Sequence, residues 1–190
     1  MNEQHLIYCS SDEWATGLKL WILPSALDGV DLGDDVLEVG PGPGRTTDLL
    51  RHMTARLTAT ELDAELADAL AARLGGTNVE VVPADATAMP FPDGRFSAAV
   101  SFIMLHHVPT TEQQDRLLAE VARVLRPGGV FAGADSLDTP EFREMHVDDI
   151  CHPIVPAGFE ARLRTAGFAE ARVTVNPYVM EFQARRADYD

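Results

Sequence analysis

Basic residues are scarce in this chain. Its 190 residues carry 15 Lys and Arg against 30 Asp and Glu, a formal net charge of −15. A partner held by its phosphate backbone would be repelled unless a local basic patch compensated, and the densest basic cluster is only Arg185-Arg186. Cysteine is nearly absent: Cys9 and Cys151 lie far apart and make no disulfide framework. No apolar run approaches the length of a membrane span. The opening Met1-Asn2-Glu3-Gln4-His5 is polar, with no basic stretch leading into an apolar one. Internal repeats and low-complexity tracts are also missing. These absences exclude a secreted disulfide scaffold and predict a cytoplasmic protein that engages neither nucleic acid nor membrane. The apolar share of 46% and charged share of 24% are those of a soluble globular chain, and its length suits one domain.

Strand and helix signals alternate along the chain. Ser10-Ser11-Asp12-Glu13 reads as a capping box with Ser10 as the cap, followed by a helix with Trp14, Leu18, Trp21 and Ile22 on one face. Pro24 and Gly29 break it. Strand one is expected at Val36–Val39, a helix from Gly44 to about Met53, and strand two at Arg56–Glu61. Leu62, Leu66, Leu70 and Leu74 form a helical stripe closed by Gly75-Gly76. Val79–Val82 is a third strand. Phe96–Ile103 is apolar almost throughout, as a strand covered on both faces should be. Thr110 caps a helix whose buried side is Leu117, Leu118, Val121, Val124 and Leu125. Pro127-Gly128-Gly129 turns into a strand at Val130–Ala134. A last helix is expected at Phe159–Ala166, then strands near Phe168–Val175 and Val179–Ala184. The short link Asn176-Pro177 makes those two an antiparallel pair at the sheet edge. The fold class is α/β: a Rossmann-like, seven-stranded, mostly parallel sheet with helices on both faces. Residues 34–186 form the core of a single domain and residues 1–30 a short N-terminal helical cap. Tyr8, Trp14 and Trp21 of that cap either close over a ligand or pack on the sheet.

The most informative segment is Val36-Leu37-Glu38-Val39-Gly40-Pro41-Gly42-Pro43-Gly44-Arg45-Thr46-Thr47. Three glycines spaced two apart follow a buried strand and precede a helix. Glycine allows a sharp turn and close approach of a ligand to the backbone, and the free N–H groups of the helix start point at what lies above. A dinucleotide fingerprint needs a third glycine where Arg45 or Thr47 stands. A phosphate loop needs a Lys where Arg45 stands and a glycine where Val39 stands. Both phosphate readings fail on spacing. Glu61, at the end of strand two and 21 residues after Gly40, can accept both hydroxyls of a ribose. Asp63 competes for that role but falls where a helix cap is wanted.

The remaining pattern, E-x-G-x-G-x-G, resembles motif I of the class I S-adenosylmethionine-dependent methyltransferases. Leu105-His106-His107-Val108 and Leu125-Arg126-Pro127-Gly128-Gly129-Val130 resemble segments of the small-molecule members related to the ubiquinone/menaquinone C-methyltransferases. The resemblance runs from about Asp34 to Asp135 and more loosely to Arg185. It implies S-adenosylmethionine as cofactor, S-adenosylhomocysteine as product and a small-molecule acceptor methylated at O, N or C. It implies that Gly40, Gly42 and Gly44 hold the methionine part, that Glu38 faces its amino group, and that Glu61 and Leu62 flank the ribose. Asp85 and Ala86 would meet the adenine; otherwise Asp85 makes a plain Asx-turn. Ser101 and Phe102 would lie beside the cofactor. The stretch from Leu57 to Asp63 also resembles the ribosomal-RNA adenine dimethyltransferases. Those need Asn/Asp-Leu-Pro-Tyr/Phe after strand four to stack a flipped base, and this chain has Ser101-Phe102-Ile103-Met104.

Methyl transfer asks the protein to position the acceptor and, where needed, to remove a proton. His106 or His107 is the candidate base; otherwise one packs on the cofactor or sheet and the other caps a turn. In the segment from Met145 to His152, His146, Asp148, Asp149, Cys151 and His152 are metal-ligand types, but no regular spacing supports a site and no metal ligand is assigned. That segment reads as a loop over the acceptor pocket, with His146 or His152 touching the acceptor. The same cofactor residues would equally serve a non-methylating, cyclase-like biosynthetic enzyme or a non-catalytic cofactor-binding partner protein.

Overall fold

The computed structural model describes residues 1–188. Five strands run parallel: β1 (Asp35–Val39), β2 (Arg56–Glu61), β3 (Val79–Pro83), β4 (Phe96–Phe102) and β5 (Leu125–Ser136). Two more follow, β6 (Phe168–Val175) and β7 (Val179–Arg186), and β7 is antiparallel to both β5 and β6. The order across the seven-stranded sheet is β3-β2-β1-β4-β5-β7-β6. The reversal of chain direction between β1 and β4 opens a crevice at the carboxyl ends of the strands, where ligands of such sheets bind.

The pleat sorts side chains to two faces. Leu37, Val39, Phe131 and Phe182 point to one face, beneath α6 (Thr111–Val124) and α8 (Phe159–Thr165). Val36, Val100 and Ala132 point to the other. There they meet residues of the N-terminal region and of α4 (Arg45–Leu50). The N-terminal region comprises α1 (Glu3–Cys9), α2 (Asp12–Gly17), a π-helical turn at Leu18–Ile22, and α3 (Leu23–Ala26). Leu18, Leu23, Ala26 and Leu27 are buried in this second core. Most of residues 1–30 is thus a sheet-packing layer, and of this region Met1, ahead of α1, lines the crevice. α5 (Ala64–Leu74) covers β2 and β3 through Leu70 and Leu74. Among the described residues no helix is long and apolar enough to cross a membrane.

Several local details differ from the sequence reading. Ser11, not Ser10, caps α2, accepting the Trp14 N–H at 3.0 Å, because the preceding residues form α1 and Ser10 closes it. The π-helical turn inserts a residue into the helical phase, so Leu18 is buried while Trp21 is 73% exposed. Leu62 lies outside α5 and is exposed, since Asp63 caps the helix by accepting the N–H groups of Glu65 and Leu66. α4 ends at Leu50 and turns continue to Met53. Leu125 has extended backbone and starts β5, and a register shift between Phe96 and Ala98 absorbs Arg126–Gly129. Ile103 falls just past β4. A further helix, α7 (Pro140–Met145), capped by Thr139, leads into the segment expected as loop, which is non-helical from His146 to His152.

Aromatic contacts lock the end of the chain onto β5. The Phe131 ring lies 4.8 Å from that of Phe182 and 5.9 Å from that of Phe168, centroid to centroid, and Phe182 meets Phe159 at 5.5 Å. Phe131 is fully buried. Phe131→Ala is expected to cost about 3–5 kcal/mol, read as a lower urea midpoint at unchanged slope; a loss below about 1 kcal/mol would show that this cluster does not hold β7 in place.

Candidate active site

The turn after β1 is built on left-handed glycines. Gly40 has φ 68° and Gly44, the N-cap of α4, has φ 83°. Space is as restrictive as torsion: a Cβ on Gly40 would stand 2.2 Å from Met104 Cγ, and one on Gly44 2.3 Å from Leu70 Cδ1. The loop is pinned from β2. Gly42 N–H donates to Glu61 Oε2 at 2.9 Å, and Asp63 N–H donates to Glu61 Oε1 at 3.0 Å. Arg73 of α5 fastens the other side, with Nη1 2.6 Å from Asp48 Oδ1 and Nη2 donating to the carbonyls of Pro43 and Gly44.

Above this loop lies a cleft of about 430 Å³, a size that suits a small ligand. Of the residues expected at the cofactor, Gly40, Gly42, Glu61, Leu62, Asp85 and Ala86 line it. Asp85 Oδ1 accepts the Thr87 N–H at 2.8 Å, an Asx-turn that leaves Oδ2 to a ligand. Glu38, Gly44, Ser101 and Phe102 sit behind the lining. Ser101 is buried and its hydroxyl has no partner; Phe102 belongs to the core beneath β4. Glu38 is buried under the loop with Oε2 unpartnered. Burial pushes its carboxyl up to about 7, against the opposing pull of Thr47 and Thr46 on α4.

The opposite wall is apolar and comes from Ile103, Met104, Val108, Pro109 and Ile150. Ile103 holds φ 53°, a left-handed conformation costly for a β-branched residue, while its N–H still bonds the Ala134 carbonyl at 2.8 Å. His107 and Asp149 also line the cleft; His106 does not. His106 is fully buried, with Nδ1 2.5 Å from Asp135 Oδ1 and Nε2 3.1 Å from His146 Nε2. His107 Nδ1 is 3.1 Å from the Ile150 carbonyl, and its Nε2 is buried and unpartnered. Burial, with His106 and His5 adding to it, pulls His107 down to about 3. His146 and His152 stay behind the wall: His152 Nε2 is 3.1 Å from Thr111 Oγ1. Residues that sequence reasoning passed over include Met104, which fills the space over Gly40, and His5 and Asp135, which join the histidine pair. No local pattern marks them, because each arrives from a different part of the chain.

Comparison with known proteins agrees with this geometry. Residues 37–133 match the family described as methyltransferase domain. A probable S-adenosylmethionine-dependent methyltransferase of Mycolicibacterium smegmatis is 29% identical over 175 residues, 83% of this chain and 66% of that protein. A fatty-acid O-methyltransferase of the same organism is 36% identical over 121 residues, 61% of this chain and 43% of its own length. This chain therefore spans about half to two thirds of the length of these relatives. In three dimensions, an S-adenosylmethionine-dependent methyltransferase from Aquifex aeolicus superposes with a TM-score of 0.76 at 20% identity, covering 97% of this chain and 98% of that one. With the glycine loop, the β2 carboxylate and the β7 reversal all in place, the chain belongs to the methyltransferase-domain family, in its class I, S-adenosylmethionine-dependent form.

Proposed function

We propose that this protein transfers a methyl group from S-adenosylmethionine to a small, largely apolar acceptor, at O, N or C. One observation carries the reading: a single cleft joins a polar end, made by the glycine loop, Glu61 and Asp85, to an apolar end made by Met104, Val108 and Ile150. When bound, the cofactor supplies a methyl group activated by its sulfonium. Glu61 keeps lone pairs beyond the two N–H groups it accepts, enough for ribose hydroxyls. The start of α4 offers a carboxylate unpaired N–H groups. Glu38 lies beneath the loop and meets the amino group through it or through water, with no direct lining contact. His106 is tied at both nitrogens and does not line the cleft, whereas His107 lines it with Nδ1 held by the Ile150 carbonyl and stays the candidate base for acceptors that must lose a proton. The protein's contribution is positioning the acceptor and excluding water. The fatty-acid specificity named for one relative supports an acceptor that is amphipathic and small.

Calorimetry should show saturable binding of S-adenosylhomocysteine and none of NAD; the reverse result, or no binding of either, ends the cofactor assignment. Radiolabelled methyl transfer to a panel of fatty acids and other amphipathic acceptors then tests the acceptor class, and turnover confined to polar metabolites would refute it. Glu61→Gln is expected to weaken S-adenosylhomocysteine by roughly tenfold or more, the worth of a charged hydrogen bond. Asp63→Ala should cost about 1 kcal/mol of stability by removing a helix cap and leave that affinity nearly unchanged. Equal effects of the two on affinity would show that the ribose contact is misassigned.

Glu38 gives a pH signature. Unfolded, it releases its proton near the ordinary 4.5; folded, near 7. Between those values the folded state holds the extra proton, so stability falls as pH rises. The contribution is complete below about 4.5 and gone above about 7. Glu38→Gln should therefore gain on the parent chain by up to about 3 kcal/mol between pH 5 and pH 8. Parallel stability curves for the two chains would falsify the buried acid.

A further inference from the structure

Behind the apolar wall, four imidazoles converge from three separate pieces of chain. His5 comes from α1, His106 and His107 from the turn after β4, and His146 from the end of α7. One ring nitrogen from each lies within 4.8 Å of the corresponding nitrogen of every other. His5, His106 and His146 are buried, and His107 nearly so.

Hydrogen bonding settles where the protons are. His146 Nδ1 is 2.7 Å from the Phe142 carbonyl and His107 Nδ1 is 3.1 Å from the Ile150 carbonyl. A carbonyl only accepts, so both Nδ1 atoms carry hydrogen. His106 Nδ1 faces the fully buried Asp135 carboxylate, which also receives the backbone N–H groups of His106 and Ser136. In all three neutral rings the lone pair is then on Nε2. Yet His106 Nε2 and His146 Nε2 stand 3.1 Å apart, two lone pairs at hydrogen-bond distance. Something positive belongs between them. A proton would make one ring an imidazolium, among three other imidazoles and away from water. Two further nitrogens, His5 Nδ1 and His107 Nε2, are buried without a hydrogen-bond partner.

We infer that His5, His106, His107 and His146 form a binding site for a zinc-type divalent transition metal ion. Neutral imidazoles whose outer nitrogens donate to a carboxylate or carbonyl are the usual form of histidine ligands, because that bond fixes tautomer and ring direction. Imidazole suits zinc and the neighbouring first-row ions. A tetrahedral ion at about 2.0–2.1 Å from each nitrogen draws the four together by only about an ångström. Asp135 behind His106, and Asp149 with Oδ2 3.5 Å from His5 Nδ1, supply the negative charge around it. Four protein ligands leave no open position, so the site is a clamp and not a Lewis acid in the reaction. It joins α1 and α7, which already meet where the Asn2 side chain donates to the carbonyls of Met145 and Val147. The inference stands independently of the methyl-transfer reading.

The test uses the full chain without a histidine tag, stripped with a chelator and titrated with cobalt(II) as the spectroscopic stand-in for zinc. The expected result is one equivalent bound, visible d–d bands of tetrahedral cobalt, and displacement by zinc. His5→Ala and His146→Ala should each weaken binding by tenfold or more, and Asp135→Asn by roughly ten- to a hundredfold. Circular dichroism checks that each variant is folded. Because His5 lies on a terminal helix, His5→Ala carries the test should His146→Ala unfold. Ring-nitrogen NMR of the parent chain gives a second readout, since metal addition must shift the Nε2 resonances of His106 and His146. Absence of stoichiometric binding, or binding that survives both alanine variants, overturns the site and leaves a proton-sharing histidine network.

Discussion

Glu61 ends β2 with both oxygens committed to backbone: Oε2 takes the Gly42 N–H and Oε1 the Asp63 N–H. Two loops from different crossovers are thus referred to one carboxylate. The Gly42 N–H left buried without its acceptor would cost about 1–3 kcal/mol, a sizeable share of what holds a domain folded. The loop after β1 cannot relax away, because Met104 and Leu70 occupy the space that any side chain on Gly40 or Gly44 would need. The cleft above is rigid for the same reason. A binding surface formed from backbone amides has no rotamers to order when a ligand arrives.

The two walls of the cleft have different origins. The glycine-loop wall is local: β1, its turn and the end of β2 are neighbours in the sheet. The apolar wall is assembled from the turn after β4, the residues following α7 and Met1. Its shape depends on long-range hydrogen bonds, such as the Asn2 N–H to Asp149 and the His152 N–H to the His106 carbonyl. A wall of this kind can change its shape by substitutions that leave the glycine-loop end untouched, the usual division in folds that host many activities.

How far the sequence is legible follows from the same division. Signals that act over a few residues read well: the alternation of strand and helix, the Asp63 and Thr110 caps, and glycines where φ is positive. Errors gather where one local rule meets a competing one. Ser10 and Ser11 are equally good caps, and only the existence of α1 decides between them. The helical face of Trp14 to Ile22 was broken by a π-helical turn that no residue type announces. Leu62 fits the spacing of the leucine stripe but precedes the cap, so it faces the cleft. The convergence of His5, His106 and His146 was beyond reach because they meet only after the sheet has formed. Ile103 runs against its type altogether, holding a torsion that favours glycine.

The order of strands also constrains how the chain comes to be folded. β7 is the last of the seven to be synthesised, yet it lies inside the sheet, between β5 and β6. Until residues 179–186 emerge, the backbone groups along β5 from Val130 to Ser136 have no partner on that side. During synthesis the growing sheet therefore carries an unpaired apolar edge, the kind that recruits other chains. The nascent protein depends on β7 to become safe from association, which makes the interval between the emergence of β5 and that of residues 179–186 the one in which a chaperone has most to protect.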